Sequence, residues 1–371
     1  MAERWQVTDG MAGALASAFY RAEIALLDLI ATNVAEGITS EEWAAVKARQ
    51  FLAFHDTAAN ALSGFDEHIV AALESYVEQA ARDGIETALG ALPAGTASTI
   101  ATGDMVARVL ALTEEHIGPM RNYFTGSQSR ILRAAGDVYR RITAESLYAG
   151  VTGVHTRRQI TQDMLNRYAD EGIAHFMTVD GKRWHLDTYA EMTARTGLQR
   201  VSLTGSVNTW TDFGYGIVRV TSISDTCSMC GPYQDALLAV DGQTGRRTLE
   251  LVPGEPHTVT VRETLTGAMS NGLFHPNCRH SIDPYIPGYM PAARTMPNDA
   301  ATYAASQEQR YLERQARKWD RRAAAALTPD ERARAENRRA NYVGRIETLV
   351  KDTPDLFRLE YRESAPVALA R

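Results

Sequence analysis

The sequence predicts an α+β protein, with a mainly helical N-terminal region, a small β-rich module and a basic helical C-terminal arm. Three observations carry this. Apolar positions recur every three or four residues through the first part of the chain, β-branched residues alternate after Gly214, and arginines crowd residues 310–345. With 371 residues the chain is long enough for two or three structural units. The boundaries expected are 1–150 for the helical region, 151–290 for the β-rich module with its leading helices, and 291–371 for a linker and the arm.

The helical region reads from about Met11 to Tyr148, with Leu15, Phe19, Ile24, Leu27 and Ile30 on one face. In "ITSEEWAAVKARQFLAFHDTAANAL" Thr39 or Ser40 is the expected N-cap, with Glu41 or Glu42 in the first turn. Pro93 and Gly95 interrupt the pattern, and Gly150 with Gly153 predicts a hinge. Two further helices follow. The second, "TYAEMTARTGLQRV", has capping-box spacing at Thr188 and Glu191, with Gly197 as its expected close, and Trp184 and His185 are expected to pack where it begins.

From Gly214 the period changes to two: "GIVRVTSIS" and "HTVTVRETL" alternate, and "VDG" marks a turn between them. "DPYIPGYMPAARTMPNDA" is proline-rich and predicts a linker lying along the surface through Tyr285, Ile286 and Tyr289. "SQEQRYLERQARKWDRRAAAAL" and a restart at Thr328-Pro329 then predict a basic helical pair.

Composition narrows the class. Hydrophobic residues at 44% and charged residues at 23% are ordinary for a globular chain and exclude wholesale disorder. The longest apolar run, "IALLDLIATNVAEGI", is broken by Asp28, Asn33 and Glu36, so no membrane span is expected. "MAERWQVTDG" lacks an apolar signal core, so export by the general pathway is not expected. Charge is uneven. Residues 1–100 hold 5 Lys/Arg against 14 Asp/Glu, whereas residues 310–345 hold 11 against 5.

All three cysteines fall in two patches, "CSMC" at 227–230 and "HPNCRH" at 275–280. Three cysteines cannot all pair within one chain, so a reducing compartment is expected. Two thiolates three residues apart grip one ion from the same side, and a second pair completes a tetrahedron. Cys227, Cys230, His275 and Cys278 make that set, with His280 as the competing fourth ligand or a supporting partner. Sulfur in the majority selects zinc, and a filled sphere makes the ion structural. A redox pair would want its thiol at a helix start, whereas Gly231-Pro232 follows Cys230 directly. A zinc enzyme of nuclease or deaminase type, acting on nucleic acid or protein, is the alternative, although neither His-x-Glu nor His-Glu-x-x-His occurs. No catalytic residue and no organic cofactor are expected.

The CxxC followed by Tyr233-Gln234-Asp235, then Gly272-Leu273-Phe274 and "HPNCRHSIDPYIPG", resembles the tailed-phage minor capsid or head morphogenesis proteins of the Mu F type. "YAEMTART" and His280 point to the branch called phage minor capsid protein 2, other branches carrying Cys at the place of His280. The resemblance covers about Trp184 to Gly288. It implies a non-catalytic virion protein, made in the host cytoplasm and placed in the procapsid interior or at the portal vertex. It also implies the portal protein as partner, with major capsid or scaffolding proteins as further candidates. Its ligand positions carry over onto Cys227, Cys230, His275 and Cys278. Beside it, Arg310, Arg314, Arg317, Lys318, Arg321 and Arg322 fall at helical spacings and are candidate contacts to packaged double-stranded DNA, a solvated or docked helix face being the plainer reading.

Overall fold

A computed structural model describes residues 3–93, 102–152, 156–177, 181–252, 255–289 and 299–363. The chain forms two compact units whose segments alternate in sequence. One comprises Met1–Ala12, Ala71–Tyr123 and Met192–Ser306; the other comprises Gly13–Val70, Phe124–Glu191 and Gln307–Arg371.

The leading helices are α1 (Glu3–Ala35), α2 (Trp43–Ala61), α3 (Phe65–Gly90), α4 (Thr102–Phe124), α5 (Ser127–Thr152) and α6 (Arg157–Glu171); most of α1 with α2, α5 and α6 belongs to the second unit, and most of α3 with nearly all of α4 belongs to the first. As the periodicity requires, Leu15, Phe19, Leu27 and Ile30 are buried, while Ile24 is only half-buried beside the buried Glu23. Tyr139 of α5 stacks on Phe54 of α2 at 4.3 Å, and Phe19 meets Phe65 edge to face at 5.1 Å. The N-terminus of α2 differs from the expectation. Its cap position is Glu42, because Trp43 is buried with its Nε1 on the Val34 carbonyl at 2.9 Å, and Ser40 Oγ instead accepts from the Glu42 amide at 3.3 Å. Nor does the chain break at Gly150: α5 runs through it to Thr152. One helical glycine costs about 1 kcal/mol against alanine, which the packing of α5 against α2 offsets. Gly153 and Gly95 lie outside the described residues.

A short antiparallel pair, β1 (His175–Met177) with β2 (Arg183–His185), leads into α7 (Leu186–Asp212). The helix therefore starts before Thr188, and no capping box forms, because Glu191 is buried and accepts from Tyr361 at 2.9 Å and from Arg362. Gly197 does not end α7 either. A Cβ there would stand 2.5 Å from Met120 Cε, so the glycine serves close packing against α4.

The first unit holds the rest of the β-structure: β3 (Ile217–Val220), β4 (Leu237–Ala239), the ribbon β5 (Gly245–Val252) with β6 (Glu255–Val261), β7 (Glu263–Thr264), α8 (Leu265–Ser270) and β8 (Ile282–Pro284). A four-stranded sheet has the order β7-β4-β3-β8, with β3 antiparallel to both neighbours and β4 parallel to β7. Its core joins Val218, Val220, Leu238, Phe274 and Ile282 to Trp210 of α7 and Ala88 of α3. Trp210 is fully buried, with Nε1 on the Ala88 carbonyl at 3.1 Å. An indole removes roughly 200 Å² from water, worth on the order of 5 kcal/mol as an upper value.

Past the sheet, Ile286 is buried and Tyr289 reaches the Leu92 carbonyl at 3.3 Å, in keeping with a surface-hugging linker; residues 290–298 lie outside the described residues. The C-terminal pair is α9 (Ala300–Ala324) and α10 (Pro329–Asp352). Thr328 caps α10 as expected, its Oγ1 accepting from the Glu331 amide at 3.2 Å, with Pro329 in the first turn. Among the described residues no helix is long and apolar enough to cross a membrane.

Candidate metal centre

Cys227 and Cys230 sit on the loop after β3, in a tight turn that the Gly231 amide closes on the Cys227 carbonyl at 2.9 Å. Gln234 fixes the approach to that turn: its Oε1 accepts from the Ile223 amide at 2.7 Å and from Ser222 at 3.2 Å. Tyr233 is buried in the core beneath the Arg262 guanidinium, 4.9 Å from the ring centre. Tyr233 and Gln234 are thus supports of the turn.

The second patch is bent into shape by backbone of unusual sign. Gly272, Phe274 and Asn277 all have positive φ, at 104°, 57° and 67°. A Cβ on Gly272 would also lie 2.6 Å from Met229 Cε, the end of an exposed side chain that would have to move aside, and the positive φ itself favours glycine. Leu273 and Phe274 are buried, which leaves His275 half-buried and Cys278 and His280 buried beside the first patch. Three contacts join the patches apart from the sulfurs. Thr221 and Ser281 exchange bonds at 2.8–2.9 Å, Arg279 pairs with Asp225 at 3.3 Å, and the Thr226 hydroxyl lies 3.1 Å from His280 Nε2.

The outcome is two triads that share Cys230: Cys227, Cys230 and His275, and Cys230, Cys278 and His280. Within each, the donor atoms lie within 4.8 Å of one another. Cys230 Sγ and Cys278 Sγ are 3.6 Å apart, and a tetrahedral ion with bonds of about 2.3 Å to sulfur separates two thiolates by about 3.8 Å. Cys227 Sγ and His275 Nε2 are 3.0 Å apart, tighter than the roughly 3.6 Å that the same geometry gives sulfur and nitrogen. Cys278 Sγ and His280 Nδ1 are 3.4 Å apart. Chemistry and spacing fit a soft divalent ion.

The imidazoles differ in what holds them. His275 Nδ1 faces the Pro276 carbonyl at 2.8 Å; a carbonyl only accepts, so in the neutral ring Nδ1 carries the hydrogen and Nε2 turns its lone pair to Cys227. His280 meets a hydroxyl, which donates or accepts, so either tautomer is satisfied. Between the buried sulfurs, the bond to Cys278 and then burial push the Cys230 thiol up to about 12. The same bond, outweighing burial, holds Cys278 below the ordinary thiol value.

The six basic residues of α9 have a different fate from the one the stripe suggested. Arg317 and Arg321 are buried, their guanidinium groups 3.0 and 3.1 Å from Asp187 Oδ2, and Arg321 Nε donates to Glu23 at 2.6 Å. Arg322 forks onto Asp170 at 2.6 and 2.7 Å, and Lys318 joins it at 3.1 Å. Arg310 is half-buried, and Arg314 is exposed. Most of the stripe answers acidic groups of its own unit. Sequence reasoning missed these partners because Glu23, Asp170 and Asp187 lie more than a hundred residues away.

A helical protein with a small sheet folded around a Cys/His cluster is the class that these features define. The profile of the family described as phage minor capsid protein 2 matches residues 6–349 of the 371, and the chain belongs to that family. The match reaches well beyond the Trp184–Gly288 stretch in which the resemblance was legible. No curated protein and no solved structure matches. Membership makes this a structural phage protein of the virion, in the company of other virion proteins.

Proposed function

We propose that the chain is a minor capsid protein of the portal vertex, built around one structural zinc ion held by Cys227, Cys230, Cys278 and His275. The observation that carries the metal reading is the pair of triads meeting at Cys230. His275 is preferred as fourth ligand because its hydrogen is committed to Pro276, whereas His280 steadies Cys278 through both its ring and its amide, each 3.4 Å from the sulfur. Four protein donors fill a tetrahedron and leave no position for a reacting water, which favours a structural ion over the nuclease or deaminase alternative.

Such an ion would tie together loops with little regular structure of their own: β4 and β8 have three residues each. Its loss should raise amide exchange across residues 221–235 and 272–281 while the helical unit keeps its protection. Residues 1–150 are the proposed portal-docking region, on the strength of the family and the acidic surplus of residues 1–100. Contact with packaged DNA, if made by this chain, falls to exposed cations such as Arg314, Arg334 and Arg338, since Arg317 and Arg321 are spent on buried carboxylates. Co-purification with the portal ring tests the partner, and an image of particles carrying a labelled chain tests the location. Density away from the vertex would overturn that placement.

A further inference from the structure

We infer that the groove between α2 and α5 is a phosphate-binding site, taking a chain of phosphate groups such as a nucleic-acid backbone presents, with Arg133, His55 and Ser129 as its principal donors. It is distinct from the exposed cations of α9 and α10.

The groove lies within the second unit, where α2 and α5 meet through Phe54 and Tyr139. Beside that contact opens a cleft of about 350 Å³, bounded by Phe51 and His55 of α2 and by Ser129, Arg133, Gly136 and Arg140 of α5. Small-ligand clefts run from roughly 300 to 1,000 Å³, so the space suits more than one bare ion. Positions 129, 133, 136 and 140 follow one another at helical spacing and form a single stripe of α5. No carboxylate lines this cleft, although the chain as a whole carries −6.

Its donors are unpaired. Among the described residues Arg133 and Ser129 are exposed and have no side-chain hydrogen bond or ion pair, and the half-buried His55 ring meets only Phe51, at 6.2 Å between centres. Arg133 differs in this from Arg317 and Arg321, which reach buried carboxylates. Arg140 lies over the Phe51 ring at 5.0 Å and meets Asp137 at 2.6 Å, but that pair is exposed, and exposed pairs contribute little.

Gly136 is an independent sign. Glycine inside a helix is unfavourable against alanine. Packing does not demand it here, because a Cβ would make only ordinary contact with Phe51, at 3.5 Å, and the backbone is not in the left-handed region. Its missing side chain keeps the cleft open between the two arginines.

The ligand is extended. Arg133 also lines a second cleft, of about 260 Å³, with Arg130, Asp137 and His175. Arg133 and Arg140 are separated by about 10 Å along the helix axis, close to three phosphate steps of one nucleic-acid strand. Two clefts that share an arginine suit a run of phosphates better than a single ion, and the first, free of carboxylates, is the stronger half.

Fluorescence anisotropy of labelled duplex DNA with the full-length protein, as a salt series, tests the site, and calorimetry with inorganic tripolyphosphate separates the two sources of phosphate. Arg133→Gln should weaken binding by about tenfold and lower the salt slope for DNA by about 1. Gly136→Met, which fills the cleft and keeps every charge, should weaken it by a similar factor without lowering the melting temperature. Arg167→Gln removes the same charge from an exposed position of α6 that lines neither cleft, and should stay within about twofold of wild type. DNA bound in an Arg133-dependent way assigns the site to a nucleic-acid backbone; tripolyphosphate alone bound in that way assigns it to a free polyphosphate. Neither probe binding, Arg133→Gln binding as wild type does, or Arg167→Gln losing as much as Arg133→Gln overturns the inference.

Discussion

Arg195 Nη1 donates to Asn277 Oδ1 across 2.8 Å, and so ties α7 to the loop that carries His275 and Cys278. Its Nε goes to Asp9, buried on α1. One turn further along α7, Gln199 Nε2 donates to the His280 carbonyl at 2.8 Å. Residues four apart share a helix face, so one side of α7 holds the second patch both within it, at Asn277, and at its far end, at His280. This gives the "YAEMTART" segment a physical role, since its Arg195 sets the loop on which half of the proposed ligands ride.

Asn277 both accepts that bond and occupies the left-handed backbone region, and substitutions separate the two. Asn277→Gly keeps the backbone accessible and loses a charge-assisted bond, a cost of about 1.5 kcal/mol or more, with zinc affinity falling about tenfold. Asn277→Val adds the strain of a β-branched residue at positive φ and should be the weaker of the two. Urea unfolding and competition with a chelator read both, and wild-type behaviour in Asn277→Gly would remove the anchor from the account.

The α9 arginines should split by burial. Arg321→Met leaves Glu23 and Asp187 buried with too few partners and should cost about 3–5 kcal/mol. Arg314→Ala, on the exposed side, should stay within about 0.5 kcal/mol of wild type. Equal effects in urea titrations would mean that the network is not the clamp described.

Acid should weaken the same network in two stages. Burial, joined by the Arg321 cation against the opposing pull of Glu23 and Asp187, holds the His185 pKa below its ordinary value, with Arg317 also facing it. Its contribution is therefore complete above the unfolded value of about 6.5 and is lost as pH falls from there toward the folded value, by at most about 1.4 kcal/mol per pH unit. Asp187 is held low because Arg321, Arg317 and His185 together outweigh its burial. Its share survives to lower pH and goes as pH falls below about 3.9 through its own depressed pKa. In thermal melts His185→Gln should flatten the first stage and leave the second; an unchanged first stage would acquit the histidine.

Much of this was legible in the chain. The helix faces, the Thr328 cap and the clustering of sulfur with histidine all rest on short-range spacing, which sequence displays directly. What escaped depends on distant partners. Gly197 read as a helix stop because its packing against Met120 cannot be seen locally, and Glu191 read as a cap because its partners Tyr361 and Arg362 lie about 170 residues away. β1 and β2 have three residues each, too few to show an alternation. The α9 arginines looked like a solvent-facing stripe until the fold brought acids to them.

Metal analysis of the reduced, purified chain addresses the proposed centre most directly, with Cys230→Ser as the control because Cys230 belongs to both triads. The expected result is about one zinc per wild-type chain and none in the variant, with cobalt substitution giving the intense thiolate absorption of a tetrahedral site. A folded wild type without stoichiometric metal, or a variant that keeps it, would contradict the account.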